Sequence, residues 1–418
     1  MSFQGILFDM TDHYDIIIVG GGMVGAACAL ALGGSGLRVA VIETRAAQPY
    51  DAAAEVDLRV SAITQASQRI FAALGVWPTL AARRISPFRE MRVWDAAGSG
   101  AIHFDSADIG TETLGWIIEN QLIQSALWEG LATQSNIEVI CPALPVEVSL
   151  AEDAARMVLD NGRTLSARLI VAADGADSRV REMAGIATQG WRYDQQGVVA
   201  TVTPQRSHQD TAWQRFLPDG PLALLPLGDG RCSIVWSTSP EQAERLLALD
   251  ERAFCQELSA ASEGVLGDIV ATGPRAAFPL RLQHARDYVR PRLALIGDAA
   301  HCVHPLAGQG VNLGLLDAAA LAEVLLDAQQ TGRDIGALKT LRRYERWRKG
   351  DNLLMMGVMD GFKRLFGAAW SPLRFARNAG LTFTDNLQPV KNLIMRRAMG
   401  LEGDLPRLAS RIDGGRVS

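Results

Sequence analysis

Residues 291–314 read PRLALIGDAAHCVHPLAGQGVNLG and place several chemical groups close together. Gly297 and Asp298 end an apolar run, Leu293 to Ile296. A carboxylate at such a tip accepts hydrogen bonds from sugar-like hydroxyls. Pro305 and the turn Gly308-Gln309-Gly310 follow, and a helical pattern begins near Asn312. Backbone N–H groups of a glycine turn and a helix N-terminus stabilise an anionic or electron-rich ring. A second group of residues lies near the start. Gly20, Gly22 and Gly25 form a GxGxxG string, and Glu43 lies eighteen residues past Gly25. The first glycine permits a tight turn, the second lets backbone approach a pyrophosphate, and the third allows close helix–strand packing. Glu43 is suited to a ribose 2′-hydroxyl, and its charge disfavours a 2′-phosphate there.

The elements around these residues explain their spacing. Asp15 to Val19 is a β-branched run that reads as a buried parallel strand, Ala26 to Leu32 as helix and Arg38 to Ile42 as a second strand. Residues 57–82 read as helix, 117–128 as amphipathic helix, 169–173 as a buried strand and 315–326 as helix. Segments 88–105 and 197–240 alternate apolar and polar residues and contain turn signals, which predicts an antiparallel sheet. From about residue 341 the pattern is helical, with breaks expected near Pro372, Pro389 and Gly400. The fold expected is α/β. A Rossmann-like dinucleotide-binding domain would be built from 14–82, 112–184 and 279–345. An inserted, mainly antiparallel β-sheet substrate domain would come from 84–110 and 185–278, with C-terminal helices over 346–418.

Composition narrows the class. A chain of 418 residues, 48% apolar and 21% charged, suits a soluble globular enzyme. A net charge of −5 argues against a nucleic-acid partner. Five scattered cysteines without a CxxC pair predict reduced thiols and a cytoplasmic protein. The first ten residues lack a leader pattern, and no apolar run is long enough to predict a membrane span.

Three motifs in order carry a family resemblance. Asp174-Gly-Ala-Asp-Ser-Arg-Val-Arg181 resembles the DG motif of the flavin-dependent aromatic hydroxylases, Gly297-Asp298 their GD motif, and Gly20 to Gly25 their dinucleotide fingerprint. The wording of 304–314, HPLAGQGVNLG, resembles the ubiquinone-biosynthesis branch, as do Leu58 to Ile63, Phe216 to Pro221, Leu224 to Leu227 and Ser233 to Ser237. Segments 35–41, 341–346 and 397–401 favour the member acting at ring position C5. A sister position, a hydroxylase of a small soluble aromatic, a flavoprotein that reduces prenyl chains and a non-catalytic scaffold subunit are the alternatives.

The resemblance implies FAD as cofactor, NAD(P)H as transient reductant and molecular oxygen, which reaches a polyprenylated phenol through a flavin hydroperoxide. Asp298 would hold the ribityl chain, and Asp174 would lie where FAD and NAD(P)H both need support. Arg59 would face the FAD phosphates or ring, and Asn120, with Gln121 beside it, the adenosine half. Gly297, Gly310, Val311 and Asn312 would complete the cofactor contacts. Pro305, Gly308, Gln309 and Gly310 would form the flavin-ring environment. His304 is a candidate base for the phenol, although packing beside the flavin is the expected role of both His301 and His304. Together with Cys302 these histidines superficially suggest a metal, but no carboxylate stands at metal-like spacing, so none is expected.

Residues 342–397 contain twelve Lys and Arg against four Asp and Glu, interleaved with Leu, Met and Phe. Such a helical region is expected to contact an anionic membrane surface, the inner face of the cytoplasmic membrane, as a peripheral protein, or to join a biosynthetic complex or a homo-oligomer. A basic, solvated helical cap on the cofactor domain is the equal alternative.

Overall fold

The computed structural model describes residues 11–96, 98–302, 310–367, 385 and 387–410. Two eight-stranded sheets and a smaller three-stranded one organise them. In the first sheet, Thr11–Val19 lies between Thr164–Ala172 and Val39–Ile42, with Ile137–Ile140 beyond the latter and Leu293–Leu295 beyond the former. These neighbours are all parallel. Ile16, Ile17 and Ile18 are fully buried because both faces of such a sheet are covered. The helices Met23–Ala31, Asn120–Leu131 and Gly310–Gln330 pack against one another over this sheet, the alanines of the first and last allowing close approach.

The second sheet runs from His301–Cys302 through Ile269–Ala285, Thr188–Pro204, Cys232–Thr238, Gly220–Pro226, Thr211–Leu217 and Glu90–Asp95 to Ala101–Asp105. It is antiparallel except where Thr211–Leu217 pairs in parallel with Glu90–Asp95. Its back packs on the helices Pro240–Ala248 and Glu251–Ala261 through Leu222, Leu224, Ile234, Phe254 and Leu258. Its front meets Ala62, Phe88 and Ile117 of the small sheet, Leu114 just before it, and Met395 and Met399 of the C-terminal segment.

Several expectations are corrected. Val60–Thr64 and Gly115–Glu119 are strands, not helix, and pair with each other. Their β-branched residues Val60, Ile63, Thr64, Ile117 and Ile118 favour extended backbone, which periodicity alone did not separate from helix. Ile85–Phe88 joins this small sheet, so the second sheet starts at Glu90 on this side. The break expected near Pro389 falls at Leu387, and Pro389 stands in the first turn of the helix Gln388–Ala398, where its missing N–H costs nothing. The helix Leu338–Gly367 runs unbroken through the expected boundary at 345/346 and buries Tyr344 against Leu295 of the first sheet and Arg348 and Asn352 against Asp317. Pro372 lies outside the described residues. No helix among the described residues is long and apolar enough to cross a membrane.

Candidate active site

The dinucleotide turn forms as its glycines require. Gly20 has φ +101°, and a Cβ there would lie 2.3 Å from the Ala173 carbonyl oxygen. A Cβ on Gly25 would lie 1.9 Å from the Gly20 oxygen. At Gly22 the same atom would meet nothing within 4 Å, so the helix N-terminus opens onto free space there. Backbone N–H groups facing a free cradle of this kind fit a pyrophosphate. Glu43 ends the second strand and accepts from the Gly21 N–H at 2.6 Å, the Thr44 N–H at 2.7 Å and the Arg45 N–H at 3.1 Å. The turn is thereby locked to the acid that would meet the ribose. Trp128, which the sequence reading missed, donates from Nε1 to the Gly21 oxygen at 2.7 Å.

Asp174 packs its backbone against Gly20, and its carboxylate turns into its own loop. It accepts from Ser178 Oγ at 2.5 Å and from the Val180 N–H at 3.2 Å. Burial raises its pKa against those hydrogen bonds. Its visible role is to cap the short helix Arg179–Met183. Arg181, also missed, is buried and joins two motifs. It donates to the Ala176 oxygen at 2.8 Å and to the Ala299 oxygen at 3.0 Å, next to Asp298.

Gly297, at φ +57°, turns the chain, and Asp298 follows with its side chain open to solvent while protein crowds its other sides. That crowding raises its carboxyl pKa, and the charges of His301 and Arg59 oppose the rise. Arg59 itself is exposed, 5.9 Å above the Phe278 ring. Asp298 and Arg59, far apart in sequence, therefore share one electrostatic environment.

Asn312 is buried, and its amide clamps two elements together. Nδ2 donates to the Ala62 oxygen at 2.8 Å, while Oδ1 accepts from the Thr64 N–H at 3.0 Å and from Ser67 Oγ at 2.7 Å. The side chain thus binds protein, and the face left for a cofactor is the backbone of Gly310, Val311 and Asn312 in the first helical turn. Asn120 behaves similarly. Its Oδ1 accepts from Ser61 Oγ at 2.6 Å, and its N–H bonds to the Arg59 oxygen at 2.9 Å, fixing the strand next to Arg59. Gly314 was missed although its motif was not: a Cβ there would lie 2.6 Å from Val24, so it lets the last helix reach the dinucleotide turn.

His301 does not face outward. It is 1% exposed and binds the Asp317 carboxylate through Nε2. Asp317 also accepts from the Gly297 N–H at 3.2 Å, Arg348 Nε at 2.9 Å and Asn352 Nδ2 at 3.1 Å. Burial works against its charge, but His301 and Arg348 outweigh that and hold the carboxyl below its ordinary range. His284 lies behind this group, where burial, with help from Lys349 and His301, lowers its pKa to about 4. His304, Pro305, Gly308 and Gln309 lie outside the described residues. Among the described residues no cluster of three metal-ligating side chains exists.

Comparison with known proteins agrees with this geometry. The family model described as FAD binding domain matches residues 13–350. The chain is 38% identical over 387 residues to 3-demethoxyubiquinol 3-hydroxylase of Escherichia coli (strain K12), covering 93% of this chain and 98% of that one. It is 40% identical over 397 residues to the ubiquinone hydroxylase UbiL of Rhodospirillum rubrum, covering 94% and 92%. It is 39% identical over 430 residues to the mitochondrial ubiquinone biosynthesis monooxygenase COQ6 of Xenopus tropicalis, covering 91% and 92%. In fold it is similar to p-nitrophenol 4-monooxygenase from Pseudomonas putida DLL-E4, with TM-score 0.75 at 20% identity over 93% of this chain and 99% of that one. The glycine cradle, the acid ending the second strand and the Gly297-Asp298 turn on the third are features of one cofactor site, and the chain belongs to the FAD-dependent hydroxylases of ubiquinone biosynthesis.

Proposed function

We propose that this chain hydroxylates the aromatic ring of a polyprenylated phenol, with position C5 favoured by segments 35–41, 341–346 and 397–401. The observation that carries the reading is the convergence of the three motifs: Arg181 ties the 174–181 loop to Ala299, and Asn312 ties the last helix to Ala62 and Thr64. Bound FAD, reduced by NAD(P)H, supplies activated oxygen to an electron-rich ring carbon. The protein's part is to position and to exclude water. Gly20, Gly22 and Gly25 would admit the pyrophosphate, Glu43 the ribose and Asp298 the ribityl hydroxyls. N–H groups at Gly310, Val311 and Asn312 would stabilise negative charge on the ring. The apolar residues between the second sheet and the small sheet would keep water from the reacting face.

Contact with a lipid surface is part of the same reading, because the substrate's tail is apolar. The helix Leu338–Gly367 buries Leu341, Tyr344, Arg348, Asn352 and Met356 on one face. Its outward face shows Lys339, Arg342 and Arg346, then Leu353 at 45% and Leu354 at 52% exposure. Cations followed by exposed leucines suit an anionic membrane surface. A peripheral position at the inner face of the cytoplasmic membrane follows from this.

Expression in bacterial strains that each lack one ubiquinone ring hydroxylase, followed by mass spectrometry of the quinones, tests the reaction. Restored ubiquinone in the strain lacking the C5 step is expected. Recovery only in a sister strain would move the oxygen to another position. No recovery by a yellow, FAD-loaded protein would end the ubiquinone reading.

A further inference from the structure

A narrow, mainly apolar cavity lies between the front of the second sheet and the small sheet, lined in part by Ala62, Phe88, Leu114, Ala223, Leu225 and Met399. Of the polar side chains in the lining, Thr64 donates its hydroxyl to Asn312 Oδ1, whereas Gln214 faces the apolar neighbours. It stands on Thr211–Leu217, directly opposite Ala223 on the next strand, and is only 6% exposed. Its carboxamide makes no hydrogen bond with any described residue, whereas Ser86 Oγ, on the neighbouring small sheet, accepts from the Gly228 N–H at 2.6 Å. Neither polar atom of this amide is shut off from solvent, so both stay open to a group that enters the cavity.

The position of the cavity suggests that use. Ala62 and Thr64 line it and are also bound by Asn312, in the first turn of the helix Gly310–Gln330. The cavity therefore adjoins the helix N-terminus that would face the flavin ring. We infer that Gln214 hydrogen-bonds the oxygen carried by the substrate's aromatic ring, and that the apolar wall takes the carbon substituents. An amide suits this task because it accepts from a phenol O–H and donates to a phenolate or a methoxy oxygen. The inference rests on the ring-hydroxylation reading and adds a specificity residue to it. Met399 closes one side of the cavity, and its flexible thioether can move aside for a ring.

The test uses FAD-loaded full-length protein and two probes: a phenol bearing a short prenyl tail, and the matching prenylbenzene without oxygen. Binding is read from the perturbation of flavin absorbance. The wild type should prefer the phenol by about tenfold, the scale of one hydrogen bond. Gln214→Leu and the better shape match Gln214→Met should both lose that preference while FAD content and Tm stay level or rise. Retained preference in both variants would overturn the role of Gln214 and leave the hydroxylation reading intact. A fall in Tm in both variants would also overturn it, because it would reveal a structural partner. A wild type that binds neither probe would remove the hydroxylation reading, and this inference with it.

Discussion

Arg348 places its Nε 2.9 Å from Oδ1 of Asp317, with both side chains shut off from solvent. The pair links the helix Leu338–Gly367 to the helix Gly310–Gln330, and through the Gly297 N–H to the turn before Asp298. Removing one member leaves the other charge buried. Arg348→Met should therefore cost about 3–5 kcal/mol, measured by urea denaturation. Adding Asp317→Leu to it should restore part of that loss. A single variant as stable as wild type would show that the pair is not closed to water.

The glycines of the dinucleotide turn should separate into two classes. Gly25→Ala drives a Cβ into the Gly20 oxygen, so the protein should lose both stability and flavin. Gly22→Ala meets no protein atom, so apoprotein Tm should be unchanged while FAD affinity falls by tenfold or more, on the order of 1.4 kcal/mol. Titration of apoprotein with FAD, followed by fluorescence, measures the second effect. Equal affinity for FAD in Gly22→Ala and wild type would mean that no ligand backbone passes there.

His284 makes a pH signature. Its pKa is lowered to about 4 in the folded chain, below the ordinary histidine value near 6.5. Between those values the unfolded chain binds the extra proton, so this group makes stability rise with pH across that window and destabilises the fold on acidification. Gln at this position removes the titration. The difference in unfolding free energy between wild type and His284→Gln should therefore change by up to about 1.4 kcal/mol per pH unit between pH 4 and 6.5, and be flat above pH 7. Parallel stability curves would place the imidazole in water.

The outward face of Leu338–Gly367 should bind vesicles by charge and insertion together. Sedimentation with vesicles containing anionic phospholipid should fall sharply for Leu353→Glu with Leu354→Glu, and for Arg342→Glu with Arg346→Glu. The wild-type interaction should weaken as salt is raised from 50 to 500 mM, because screening shortens the reach of surface charges. FAD content should not change, since these side chains point away from the cofactor side of the helix. Undiminished binding by both variants would move any membrane contact elsewhere.

Much of the site was legible where backbone conformation depends on residue type. Gly20, Gly25 and Gly297 are placed by steric need, and Glu43 by its distance from the turn, so local sequence carried them. Val60–Thr64 was misread as helix because a short β-branched run between polar residues has no decisive period. Arg181, Asp317 and Arg348 were missed for another reason. Each is a polar residue in a helical stretch, and nothing local says that it points inward to meet a partner more than thirty or a hundred residues away. Asn312 and Asn120 were expected at the cofactor; their side chains serve instead the strand Val60–Thr64 that follows Arg59.

The order of strands in the first sheet has a consequence for biosynthesis on the ribosome. Thr164–Ala172 pairs on one side with Thr11–Val19; on the other its first half meets Ala155–Leu159 at once, but Ile170–Ala172 finds Leu293–Leu295 only after more than a hundred further residues have been made. During that interval the growing chain carries an open edge that strands of other chains can pair with. Asp298 and the helix Gly310–Gln330 emerge later still. Flavin capture is therefore a late event, and the nascent chain passes most of its synthesis as an apoprotein with an uncovered sheet, the interval in which a chaperone would have most to protect.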